Sequence, residues 1–195
     1  MTASPDRFTM SVEEYLELDR NGPDVRYEYV DGYAYMLASG TLNHATISAN
    51  VYSTLRSLLR GSSCRAYTSD AKVIASKNRY FYPDVTVTCD KHDQGEIDAI
   101  ASPRVIFEVL SPTTEGYDRG DKFLYYRECP TIQEYVLISA RRPMVEIFRR
   151  ESSKLWMLSV YKRDDDVKLS SLNVHFPIDA LYEDVLLPED AIQPD

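Results

Sequence analysis

Apolar positions recur along this chain with two different periods, and the switches between them mark out its elements. Ser11-Val12-Glu13-Glu14 has a helix N-cap with Glu at the third helical position, and Tyr15, Leu16 and Leu18 supply an apolar side. A short helix is expected there until Asn21-Gly22-Pro23 ends it. The runs 26–30 and 33–37 flank Asp31-Gly32, a dipeptide suited to the tight turn between antiparallel strands, and predict a hairpin. From Leu42 onward Ala45, Ala49, Tyr52, Leu55 and Leu59 return every three or four residues, which predicts the longest helix, stopped at Gly61. Segments 65–68, 72–75, 80–82, 85–89 and 105–110 then read as successive strands, enough for a sheet of at least five. A further helix is expected over 117–128, with Phe123 and Tyr126 as its apolar neighbours and Asp118, Arg119 and Lys122 on its more polar side. Segments 134–139, 145–149 and 156–162 are again strands, Asp164-Asp165-Asp166 a solvated turn, and 188–195 a loosely held tail.

Composition narrows the class. The 195 residues carry a formal net charge of −9, which argues against binding nucleic acid by bulk positive charge. Any anion must be met by a local site. No internal repeat or linker divides the sequence, so a single domain, 1–195 with its core in 11–187, is expected. Neither a signal peptide nor a run long enough to span a membrane is present, which points to a cytoplasmic protein with no membrane partner. Cys64, Cys89 and Cys129 lie far apart with no Cys-x-x-Cys pair, and are read as reduced structural thiols. The abundance of Tyr, 15 residues, favours pleated, half-buried surfaces. No phosphate loop, dinucleotide fingerprint or nucleophile elbow occurs.

The candidate chemistry lies in carboxylates at strand positions. Pro83-Asp84 introduces the strand beginning at Val85, and Glu108 is embedded in Val105-Ile106-Phe107-Glu108-Val109-Leu110, a run apolar enough to be an interior strand. A charge there is costly unless it is paired, hydrogen-bonded or bound to metal. If Asp84 and Glu108 converge, their repulsion calls for Mg²⁺, Mn²⁺ or a basic side chain between them, and oxygen donors favour a hard metal suited to phosphodiester hydrolysis. The structural alternative pairs Glu108 with Arg119 or Lys122, or leaves Asp118 and Lys122 as an ordinary pair four residues apart on a helix surface.

The string Pro83-Asp84, Glu108-Val109-Leu110-Ser111-Pro112-Thr113-Thr114, Asp118-Arg119, Lys122, Tyr126 and Glu134-Tyr135 resembles the Uma-two family, within the PD-(D/E)XK, or restriction-endonuclease-like, superfamily. Tyr27-Glu28-Tyr29-Val30-Asp31-Gly32, Ser69-Asp70-Ala71-Lys72-Val73 and Tyr182-Glu183-Asp184-Val185 extend the resemblance over nearly the whole chain. It implies an α/β fold: a central mixed β-sheet flanked by helices, with an N-terminal helix and β-hairpin. It further implies a Mg²⁺- or Mn²⁺-dependent endonuclease acting on DNA, with Asp84 and Glu108 as metal ligands and Glu28 as an additional acid. The superfamily lysine, two positions after the acidic residue, is replaced by Leu110. Lys122 is the candidate migrated lysine, Lys72 the runner-up, and His44, Asp118 and Arg119 are further cleft residues. Arg119 and Lys122 would supply the local basic patch, and a homodimer would suit an enzyme that cuts both strands. The competing expectation is a catalytically silent module of the same fold that binds DNA or protein.

Overall fold

The computed structural model describes residues 7–22, 25–37 and 40–187, so the expected tail at 188–195 lies outside the described residues. Three sheets organise the fold. The largest has six strands in the order β11-β10-β9-β8-β7-β4, formed by β4 (Arg65–Thr68), β7 (Val85–Thr88), β8 (Pro103–Leu110), β9 (Glu134–Ser139), β10 (Met144–Arg150) and β11 (Trp156–Lys162). Only β8 and β9 run parallel in it; the other neighbours are antiparallel, which makes the sheet mixed. A parallel pair cannot be joined by a hairpin and needs a crossover, here helical. The crossover is broken into α3 (Glu115–Tyr117), a π turn (Asp118–Lys122) and α4 (Phe123–Glu128).

The expected N-terminal helix, α1 (Val12–Asn21), is present with a full capping box between Ser11 and Glu14. The expected hairpin is β2 (Tyr27–Val30) and β3 (Tyr33–Met36), with Asp31 and Gly32 both at positive φ in the turn. The single run of strands expected from 65 to 110 divides between two sheets. β5 (Val73–Ser76) and β6 (Arg79–Phe81) fold back on each other, and β6 pairs with β2 through Tyr29↔Tyr80. With β1 (Arg7–Thr9) they form a second sheet of order β1-β3-β2-β6-β5. The chain passes from one sheet to the other at Tyr82-Pro83-Asp84, where proline's missing donor ends one ladder before the next begins.

The long helix α2 (Leu42–Leu58) covers one face of the six-stranded sheet, and its Ile47, Val51 and Leu55 join Val85, Val87, Val105, Phe107 and Val109 in the larger core. The opposite face carries Ile106, Leu110, Tyr135 and Leu137, buried against α4 and against Val73 and Phe81 of the second sheet. Tyr80, Phe81 and Tyr82 are buried, consistent with packing. After β11 a two-stranded ribbon, β12 (Asp166–Leu169) and β13 (Val174–Pro177), adds Val167, Leu169 and Phe176 to the larger core. Asp166 therefore starts a strand; the apolar alternation Val167, Leu169 outweighs the three-Asp run that signals a turn. Among the described residues no helix is long and apolar enough to cross a membrane.

The three cysteines are not all reduced thiols. Cys64 and Cys89 form a disulfide across 25 residues, and Cys129 alone is a free, buried thiol. β4 and β7 pair antiparallel with Arg65 opposite Thr88, which carries the next residues out, Cys64 and Cys89, to facing positions. Spacing along the chain could not reveal a pairing made by strand register.

Candidate active site

The two larger sheets and the crossover helix contribute to one polar cluster, buried except at Asp84. β2 brings Glu28 from the second sheet; the Pro83 crossing brings Asp84; β8 brings Glu108; and the crossover helix returns over β8 to bring Asp118 and Lys122. Lys122 stands at the centre, with Nζ 2.9 Å from Glu28 Oε1, 2.9 Å from Glu108 Oε1 and 3.8 Å from Asp118 Oδ1. Asp118 and Lys122 are thus not on a solvated side of the helix: they are 4% and 5% exposed. The π turn places both at the site.

Backbone and side-chain donors hold the carboxylates in place. Asp84 Oδ2 accepts the Val109 N–H at 2.7 Å and lies 3.3 Å from His44 Nε2, at the start of α2. Glu28 Oε1 accepts the Tyr82 N–H at 3.3 Å, which ties the second sheet to the residue two before Asp84. Tyr126, one helical turn after Lys122, donates to Glu108 Oε1 at 3.2 Å, and Tyr135 on β9 donates to the Asp118 carbonyl at 2.9 Å. Tyr126 and Tyr135 belong to the sequence string that carries the resemblance, yet only folding shows that their hydroxyls serve the cluster. Spacing does carry one signal, because Tyr126 is four residues from Lys122 and shares its helix face.

Two groups named from the sequence are turned elsewhere. Lys72 is buried in a separate pair with Asp19, 2.8 Å away, and Tyr82 donates its hydroxyl to the same carboxylate. It does not enter the carboxylate cluster. Arg119, half-buried, pairs with Glu115 at 2.8 Å and with Glu146, so the local basic patch expected from Arg119 and Lys122 is neutralised by the protein's own acids.

Burial and charge set the protonation of the cluster. Burial raises the Glu108 carboxyl well above the usual carboxylate range; Lys122 opposes the rise, and Asp118, Asp84 and Glu28 add to it. Burial alone would lower the Lys122 ammonium, but Glu108 and Glu28 outweigh it and hold the amine well above its ordinary value. Asp118 is raised by burial, against Lys122. His44 is raised by its hydrogen bond to Asp84, which exceeds the opposing effect of its burial. Lys122 and His44 are thus set among four carboxyl groups, Glu28, Asp84, Glu108 and Asp118, and the rise at Glu108 and Asp118 marks a site short of positive charge. A divalent cation there would favour their ionised forms.

The donor set fits such an ion in one particular way. Among the described residues no three His, Cys, Asp or Glu side chains form a ready-made cage. Among the described residues the hydrogen bonds and ion pairs of Asp84 fall on Oδ2 and those of Glu108 on Oε1, which makes Asp84 Oδ1 and Glu108 Oε2 the candidate donors. Mg²⁺ typically takes one or two carboxylates and completes its shell with water and substrate phosphate, so two carboxylate donors suit it.

The chain is similar in sequence and in fold to known proteins. The model of a family described as "Uma2: Putative restriction endonuclease" matches residues 12–178. An uncharacterized protein of Synechocystis sp., slr1290, is 34% identical over 174 residues, 89% of this chain and 91% of that protein. A second, sll1609, is 29% identical over 153 residues, 77% and 86% respectively. The fold matches the crystal structure of "a putative nuclease belonging to DUF820" from Anabaena variabilis with a TM-score of 0.73, at 20% identity, over 91% of this chain and 99% of that one.

Proposed function

The chain belongs to the Uma2 family of restriction-endonuclease-like proteins, and from that premise we propose that it is a metal-dependent endonuclease hydrolysing DNA phosphodiester bonds. What supports the reading is the convergence of Glu28, Glu108 and Asp118 on Lys122 at the junction of both sheets and the crossover helix, with Asp84 beside them, held by the Val109 N–H and close enough for its charge to act on Glu108. Asp84 and Glu108 are the residues that would hold Mg²⁺ or Mn²⁺. When bound, the ion supplies Lewis-acid charge for the phosphate and a more acidic water.

The remaining groups have roles that follow from their positions. Lys122 replaces the superfamily lysine that Leu110 displaces: its ammonium donates beside Glu108 and orients the attacking water. Glu28 holds Lys122 through Oε1 and so aims it, acting as a positioning residue in addition to any share in the ion. His44 is held to Asp84, whose hydrogen bond raises the imidazole and favours its charged form, and in that form it would face the phosphate with a positive charge. Asp118 restrains Lys122 from the same helix.

The test compares the purified protein with Asp84→Ala and Glu108→Ala on duplex and single-stranded DNA, with Mg²⁺ or Mn²⁺. Each substitution is expected to lower cleavage by about 10²-fold or more, the scale set by losing a main electrostatic contact to the transition state. Equal cleavage by all three proteins overturns the assignment. Calorimetric titration with Mn²⁺ separates the enzyme from a silent module of the same fold: saturable binding abolished by Glu108→Gln supports the enzyme.

A further inference from the structure

The six-stranded sheet ends on β11, which has no neighbour on its outer side among the described residues. Edge strands are ordinarily protected by charge, proline, bulges or shortness, because their free N–H and C=O groups template pairing with another chain. β11 has little of that protection. It is seven residues long, it matches β10 residue for residue from Lys162 to Trp156, and its single charge is the terminal Lys162. Its apolar side chains are exposed on both faces: Met157 44%, Leu158 48% and Val160 46%, continued by Leu155 at 59%.

We propose that β11 pairs antiparallel with β11 of a second copy of this chain, in the register that sets Ser159 against the partner's Ser159. A two-fold axis normal to the sheet keeps each face on the same side, so opposed residues must share a face and the register can move only in steps of two. The Ser159 register overlaps the whole strand. It sets Leu158 against the partner's Val160 and Met157 against the partner's Tyr161, and it brings Lys154, in the loop before β11, to the partner's Asp164, in the turn after it. Moving the centre to Leu158 opposes Lys154 to the partner's Lys162. Moving it to Val160 keeps a pair of opposite charge, Lys154 with the partner's Asp166, but sets Leu158 against the partner's Lys162 and Met157 against the partner's Arg163. Charge therefore disfavours the Leu158 register and lost apolar pairs disfavour the Val160 register, while main-chain hydrogen bonds with cross-strand apolar pairs supply the association. The outcome is a continuous sheet of twelve strands with a closed two-fold symmetry. This inference stands apart from the chemistry at the carboxylate cluster.

Sedimentation velocity on the full chain reads the assembly directly, and a mass twice that of the chain is expected. Ser159→Cys, oxidised in solution, should give a covalent dimer, since directly opposed residues of antiparallel strands bring their Cβ atoms to about 4.5–5.5 Å. Leu158→Lys with Val160→Lys should shift the protein to monomer. If that pair of substitutions impairs folding, Lys154→Glu, an exposed change, should weaken the dimer by opposing two acids at each end. A monomer at all concentrations overturns the proposal. So does a dimer that neither crosslinks through Ser159→Cys nor responds to Lys154→Glu, and so does an open-ended assembly.

Discussion

Lys122 and Thr86 illustrate opposite cases of buried polarity. Lys122 is one ammonium held at 2.9 Å by two acids, so truncating it leaves Glu28 and Glu108 facing each other without a cation. Lys122→Met should cost about 3–5 kcal/mol, the scale for breaking a buried pair by removing one partner. Urea unfolding of the metal-free protein measures that loss independently of catalysis. Thr86, fully buried, has a hydroxyl with no hydrogen-bond partner among the described residues. Thr86→Val removes the unmet group at nearly the same shape and should raise stability by about 1 kcal/mol in the same measurement. At this scale the sequence spoke clearly through cost: Glu108 stands in an apolar strand and needs a reason to be there. It was silent about Tyr126, Tyr135 and the Val109 N–H, because a tyrosine in a helix or strand looks like core until its hydroxyl is placed.

Elements were legible wherever a periodic pattern or a cap specified them locally. The capping box of α1, the Asp31-Gly32 hairpin and the face of α2 are all local signals, and each element forms where its residues indicate. Pairing between elements is not local. β6 turns to β2 instead of joining β7, and no spacing along the chain expresses that choice. The same cause hid the Cys64–Cys89 disulfide, which depends on the register of β4 with β7. Closing 25 residues of chain should contribute about 3–4 kcal/mol by restricting the unfolded state. Unfolding with and without dithiothreitol should show a loss of that order, absent in the Cys64→Ala, Cys89→Ala double variant. The π turn is a further non-local outcome: a helical reading of 117–128 puts Asp118 and Lys122 on a polar side, whereas the wider turn sets both beside Glu108.

On the scale of the whole molecule, the charge of −9 and the site now bear on one another. Four acids belong to the cluster, and the nearby cations Arg119 and Lys122 are already spent on internal acids. Duplex DNA should therefore bind weakly without divalent metal and more tightly with it. With few phosphates met, the affinity should fall with salt at a log–log slope no steeper than about −3, since each neutralised phosphate contributes about −0.9. Fluorescence anisotropy of the unaltered protein, across salt and with and without Ca²⁺, a hard cation that also takes carboxylate oxygens, measures both effects; metal-independent binding with a steep slope would refute this account. Lys122 has a consequence of another kind. It fastens the hairpin sheet, the central sheet and the crossover helix to one another, so a descendant that had lost all chemistry would still be selected to keep Lys122, Glu28 and Glu108 for the sake of folding. Retention of these three among relatives is thus no mark of activity. Loss of Asp84, whose carboxylate joins among the described residues a backbone amide and His44, is the substitution that would reveal a retired enzyme.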